Sequence, residues 1–79
     1  MSYVNIKVLA YSGYRVNESP RTFVINDETM TIAEIVDKWI EENYSDRTRK
    51  RFFLVKMHDN RNYKIYVDEK TSEWFCEIK

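Results

Sequence analysis

Apolar residues alternate with polar ones through the last third of the chain. They hold every second position in residues 53–57, 63–67 and 74–78, and two polar segments, Asp59-Asn60 and residues 68–72, separate these runs. A period of two is typical of strands that bury one face. The sequence therefore predicts three antiparallel strands joined as a meander.

The first third indicates two further strands. Alternation extends over residues 3–11 until Ser12-Gly13 interrupts it. A second strand is predicted over residues 21–25, because Pro20 stands at its start, where no amide donor is needed. Asn26-Asp27-Glu28 then supplies turn-forming residues, which favour a hairpin with the segment that follows.

Residues 30–44 admit two interpretations. Thr31-Ile32-Ala33-Glu34 matches the capping box, and apolar residues recur at helical spacing, so local rules place a helix first, at about residues 31–43. The alternative is a strand with a bulge near Ala33-Glu34. Such a bulge would turn four apolar side chains toward one core: Met30, Ile32, Ile35 and Trp39.

A set of spaced residues resembles a known family. Its members here are Gly13, Pro20, Phe23, residues 35–39, 52–55 and 63–68, and Trp74. The pattern resembles a family of small uncharacterised bacterial cytoplasmic proteins and is similar to the C-terminal segment of inactive Y-family translesion polymerase homologues. The resemblance covers most of the chain and implies a bent strand over residues 30–39 and an association with DNA-damage tolerance. This chain departs from the pattern at Asp59-Asn60, where Asp-Gly is usual, and in a longer, more polar segment 41–51.

Together these patterns predict one mainly β domain over residues 1–79. We expect a small antiparallel, strongly twisted sheet or partly open barrel of about five strands, with an α+β fold carrying one helix at about 31–43 as the alternative. A chain of 79 residues buries a modest core, so its twelve aromatic residues must contribute strongly. The expected core is Val8, Phe23, Ile35, Trp39, Phe53, Val55, Tyr63, Ile65 and Trp74.

The reactive residues indicate no enzyme. His58 and Cys76 are the only histidine and the only cysteine, and no catalytic motif surrounds either. We expect a solvated turn for His58 and a core position for Cys76. No cofactor is implied, and a metal site built from His58, Asp59, Asp68 and Glu69 matches no ligand spacing. A single cysteine and no apolar leader or membrane span indicate a cytoplasmic protein.

Basic residues concentrate in the segment 47–64, although the formal net charge of the chain is zero. Cations beside exposed rings are typical of single-strand binders, and Tyr66 is expected to face outward with Lys64. The candidate polyanion contacts are Arg47, Arg49, Lys50, Arg51, Lys64 and Tyr66. The alternative without a binding role is a solvated loop whose cations pair with Glu41, Glu42 and Asp46.

The partner is therefore expected to be a nucleic acid or an acidic protein, without a membrane. A second class of function is a protein interaction module or a homodimer that uses an edge strand, because exposed strand edges pair with extended segments.

Overall fold

The computed structural model describes residues 2–12 and 19–78, whose backbone forms six strands and no helix. Each strand pairs antiparallel with the next, and β1 also pairs with β6, so that the sheet closes into a barrel. This confirms the mainly β class, with six strands where about five were expected. The strands are β1 (Ser2–Ser12), β2 (Ser19–Ile25), β3 (Glu28–Asn43), β4 (Thr48–Met57), β5 (Asn62–Asp68) and β6 (Glu73–Ile78).

Two long strands each change partner along their length. Residues 2–6 of β1 pair with β6 and residues 7–12 with β2, while residues 28–31 of β3 pair with β2 and residues 32–43 with β4. One five-stranded sheet therefore consists of β3 (from residue 32), β4, β5, β6 and β1 (to residue 6). We call it the five-stranded sheet.

Strand β3 resolves the ambiguity over residues 30–44, and the helix that local rules favour is wrong. Its register against β4 shifts between Ile32 and Glu34, which confirms the bulge expected near Ala33-Glu34, and shifts again between Ile35 and Asp37. The bulge at Ala33 places Ile32 and Ile35 on the same face although they are three residues apart. That spacing imitates one turn of a helix.

The core lies inside the barrel and contains most of the predicted residues. Val8, Ile35 and Tyr63 pack at its margin. Trp39 is the exception: the second bulge, at Val36, reverses the side-chain alternation, and the indole therefore lies on the outer face. The buried cluster is Ile6, Phe23, Ile32, Phe53, Val55, Met57, Ile65, Val67, Trp74 and Cys76.

Tight turns join the strands where the sequence has turn-forming residues. Asn26 and Asp27 both have positive φ, 50° and 64°, as a two-residue hairpin requires. Asn60, with φ 69°, takes the left-handed conformation that glycine would otherwise supply. Gly13 lies outside the described residues. Within residues 2–12 and 19–78, no helix has the length and apolar character needed to cross a membrane.

Candidate binding surface

Five aromatic side chains cross the outer face of the five-stranded sheet, one from each strand. Four of them are direct neighbours in register: Trp39 on β3 faces Phe52 on β4, Phe52 faces Tyr66 on β5, and Tyr66 faces Phe75 on β6. Tyr3 on β1 completes the set by leaning across β6 onto Tyr66. We call these five residues the aromatic row.

The rings stack on one another along the row. Their centroids are 5.4 Å apart for Trp39 and Phe52, 4.9 Å for Phe52 and Tyr66, and 5.1 Å for Tyr66 and Phe75. These separations follow the strand spacing of about 4.7–4.9 Å, as expected for side chains in direct register. The interplanar angles along the row are 5°, 31° and 23°, so neighbouring rings cover part of each inner ring's faces.

Exposure varies along the row. Phe52 is buried, while Trp39, Tyr66 and Phe75 are half-buried, and Tyr3 is 38% exposed. Tyr3 meets Tyr66 edge to face, with centroids 5.0 Å apart at 82°. The row is therefore a partly open apolar surface outside the main core.

Polar side chains fix the two ends of the row. The Trp39 Nε1–H donates to Glu41 Oε2 at 2.9 Å, and the Tyr3 hydroxyl donates to Glu77 Oε2 at 3.4 Å. Glu77 also lies 3.8 Å from Lys64 Nζ. These contacts hold a carboxylate beside each terminal ring.

Two lysines lie over the rings. Lys50 Nζ is 5.3 Å from the Tyr66 centroid, and Lys64 Nζ is 5.0 Å from Phe52 and 5.7 Å from Trp39. Ammonium groups at this distance from a ring centroid are attracted by its π electrons. The row thus already holds cations of its own chain.

The surroundings of the row are acidic overall. Side chains two residues before and after a strand position share its face, so the four in-register rings have eight such flanking positions. Five of the eight are carboxylates, two are lysines and one is leucine. The flanking residues are Asp37, Glu41, Lys50, Leu54, Lys64, Asp68, Glu73 and Glu77.

The surroundings of Tyr66 shift the ionisation of its phenol. Its pKa is raised, chiefly because partial burial disfavours the phenolate, and further because Tyr3 and Asp68 lie nearby. The phenol therefore stays neutral through the physiological range, and the expectation that Tyr66 faces outward with Lys64 is confirmed.

The predicted basic contacts do not form one patch. Strand β4 begins at Thr48, so the basic run lies in a strand, where neighbouring side chains point to opposite faces. Lys50 lies with Lys64 and Tyr66 at the aromatic row, whereas Arg49 and Arg51 point to the other face. Arg47 lies in the preceding turn with φ 58°.

Arg49 and Arg51 have acidic neighbours. Arg49 Nε is 3.2 Å from Glu69 Oε2 and 3.8 Å from Glu42 Oε1. Arg51 Nε lies 3.9 Å from Glu69, beyond hydrogen-bond distance, and is buried without an acceptor among the described residues. Glu42 was an expected partner and Glu69 was not.

Asp46 stabilises its own turn instead of pairing with the basic run. Its carboxylate accepts the Thr48 hydroxyl at 2.7 Å and the Thr48 amide at 3.1 Å. These hydrogen bonds lower the Asp46 pKa.

Neither His58 nor Cys76 belongs to the row. His58 is exposed in the turn between β4 and β5, and Cys76 is buried inside the barrel, both as predicted. Asp59 follows His58, whereas Asp68 and Glu69 lie at the opposite end of β5. Within the described part of the chain, no three His, Cys, Asp or Glu residues are grouped to hold a metal.

The longest unpaired strand edge among the described residues belongs to β3. From residue 32 to residue 43, β3 pairs with β4 on one side, and no strand in residues 2–12 or 19–78 pairs with its other side. Val36 and Ile40 are exposed along this stretch. An edge-strand interaction would therefore use β3.

Sequence reasoning found Tyr66 and overlooked the rest of the row. Phe75 and Tyr3 each precede a residue of an inward-facing set, Cys76 and Val4, so alternation alone places both rings outside. An outward aromatic on each of several neighbouring strands was the available signal.

Comparison of the chain with protein-family models, curated proteins and solved structures finds no match.

Proposed function

We propose that this chain is a small, non-catalytic binding domain that docks a partner protein on the aromatic row. The observation that supports the proposal is the in-register stack of four rings, extended by Tyr3, on the outer face of the five-stranded sheet. Antiparallel sheets with one solvated face normally carry polar side chains there. Contiguous exposed apolar surface is characteristic of interaction sites, and aromatic residues are enriched in them.

The ring geometry favours a protein over a single-stranded nucleic acid. Single-strand binders stack bases on open ring faces. Here Phe52 and Tyr66 each have a neighbouring ring on both sides and a lysine ammonium over the ring, so little of either ring face is left for a base. Side chains of a protein can instead pack against ring edges, for which no open face is needed.

Site-specific photocrosslinking in cells tests the proposal. A photoreactive phenylalanine analogue replaces Tyr3, at the exposed end of the row, and in a matched control it replaces Leu9, which is 51% exposed on the part of β1 that pairs with β2. We expect a discrete protein adduct from position 3 and none from position 9. Equal adducts at both positions, or none at position 3, would contradict docking on the row. An adduct with a second copy of the chain would identify a homodimer.

A polyanion is the second candidate, and it has one supporting observation: neither Arg47 nor Lys50 lies within ion-pair distance of an acid among the described residues. If these two cations contact phosphates, the logarithm of the binding constant should fall with log salt at roughly −0.7 per phosphate, about −1.4 in all. Titration of a single-stranded oligonucleotide at two salt concentrations measures this slope. Salt-sensitive binding that is lost on replacing Arg47 and Lys50 with alanine would favour the polyanion.

The cellular setting belongs to the same proposal. The single buried cysteine accords with a reducing compartment, and the family resemblance adds a cytoplasmic location and a role near DNA-damage tolerance. Fractionation of cells that express the tagged chain, with and without DNA damage, tests both.

A further inference from the structure

We infer that the segment docking on the aromatic row is cationic and presents arginine side chains. The inference rests on the proposed function and adds the chemistry of the partner. It follows from the residues that flank the four in-register rings. Five of them are carboxylates and only two are lysines. Complementary charge across an interface selects partners and accelerates their encounter.

The lysines of the chain itself show where cations reside on this surface. Lys50 lies over Tyr66, and Lys64 lies over Phe52 while approaching Glu77. A carboxylate beside a ring face thus already attracts an ammonium group. A guanidinium suits the carboxylates around the row better, because it is weakly hydrated and its planar fork binds carboxylates in a bidentate manner.

Glu41 is the carboxylate best placed to receive the partner. The Trp39 indole N–H fixes its Oε2, and an ionised carboxylate has about four acceptor positions, so most of its capacity remains. Beside it lies an open cleft of about 650 Å³, whose walls include Glu41, Lys50 and Asp68. A guanidinium in this cleft would reach Glu41, the carboxylate that also accepts the Trp39 indole N–H.

Calorimetric titration with synthetic peptides tests the inference. The probes are a short Arg-Gly repeat peptide, the matched Lys-Gly peptide and the matched Glu-Gly peptide. We expect the Arg-Gly peptide to bind most tightly and the Glu-Gly peptide not to bind. Glu41→Gln and Glu73→Gln should each weaken Arg-Gly binding about two- to fivefold, as expected for partly exposed ion pairs.

Glu28→Gln is the matched control, because it removes the same charge from an exposed position at the start of β3, away from the row. Equal weakening by Glu28→Gln and Glu41→Gln would overturn the inference, since a general field effect would then explain the binding. So would equal affinities for the Arg-Gly and Glu-Gly peptides. If the peptides fail while photocrosslinking at position 3 still captures a protein, only the cationic character of the partner is refuted. If both fail, the proposed function fails as well.

Discussion

At the scale of single residues, the barrel interior determines the chemistry of Cys76. The side chain is fully buried, and burial, with a smaller effect of Glu77, raises the pKa of its thiol from 9.0 to about 11. The thiolate is the reactive form of cysteine. A protein held folded below pH 9 should therefore react with alkylating reagents only as fast as it opens.

The raised pKa of Cys76 makes the free energy of unfolding depend on pH. The thiol ionises in the unfolded chain at a lower pH than in the folded one, so the unfolded state binds fewer protons and unfolding becomes easier as pH rises from 9 to 11. The loss should reach roughly 2–3 kcal/mol, at 1.36 kcal/mol per pH unit. Urea unfolding at both ends of this range measures it. Cys76→Ala is the control, and an unchanged pH dependence in that variant would contradict the assignment to Cys76.

Replacement of Cys76 by serine should also destabilise the barrel. A hydroxyl in the core without a good partner costs about 1–3 kcal/mol. Comparison of Cys76→Ser with Cys76→Ala by urea unfolding separates this polar cost from the loss of volume. Activity that later proves to depend on the sulfur and not on stability would reopen the question of catalysis.

Trp39 and Phe52 offer a direct measure of the outer stack. Their rings are nearly parallel, at 5°. A double-mutant cycle with Trp39→Ala and Phe52→Ala should give a coupling energy of about 0.5–1.5 kcal/mol in the free energy of unfolding. A coupling energy near zero would show that the stack adds nothing beyond burial of each ring.

At the scale of elements, β3 has an asymmetric pattern of backbone pairing. From residue 32 to residue 43 only the amides directed toward β4 have strand partners among the described residues. Hydrogen exchange followed by NMR should therefore alternate between protected and unprotected amides here, while β4, paired on both sides over residues 50–56, is protected throughout. Continuous protection along β3 would indicate that another strand covers this edge.

The turn between β2 and β3 should tolerate a stabilising change. Asp27 has φ 64°, a conformation that costs residues other than glycine roughly 1 kcal/mol, and Asn-Gly is the preferred pair for such hairpins. Asp27→Gly should raise the free energy of unfolding by up to that amount, which is measured as a higher urea midpoint. Thr29→Gly, in the adjacent strand, is the control and should lower it.

The elements also show how far the sequence could predict this fold. Alternation located every strand except β3, because two bulges within four residues removed its period of two and produced helical spacing instead. One bulge was foreseen and the other was not. The second bulge, at Val36, depends on the register with β4 and cannot be predicted from a local pattern. Without it, alternation places Trp39 on the core face with Ile35.

The binding surface was less predictable for a related reason. Strand β4 begins at Thr48, five residues before the alternation of residues 53–57 becomes visible, so the sequence alone predicts the basic run to be one patch. Strand geometry instead divides Arg49 and Arg51 from Lys50. The aromatic row forms because its strands are neighbours in the closed barrel. The alternation within each strand does not predict which strands are neighbours.

At the scale of the whole molecule, closure of the barrel links all six strands. Because each of the six strands pairs with two others, none can detach without exposing the core. We expect one cooperative unfolding transition, coincident by circular dichroism and by NMR signals from core and row. An earlier transition at the row alone would show that the outer stack is a separate unit.

The two tryptophans lie on opposite sides of the same wall. Trp39 belongs to the outer stack, and Trp74 is 7% exposed inside the barrel. The molecule thus has two indole fluorophores, one at the candidate interface and one in the core. Trp39→Phe leaves an emission signal that reports folding alone, and Trp74→Phe leaves one that responds to docking, so binding and stability become optically separable without a label.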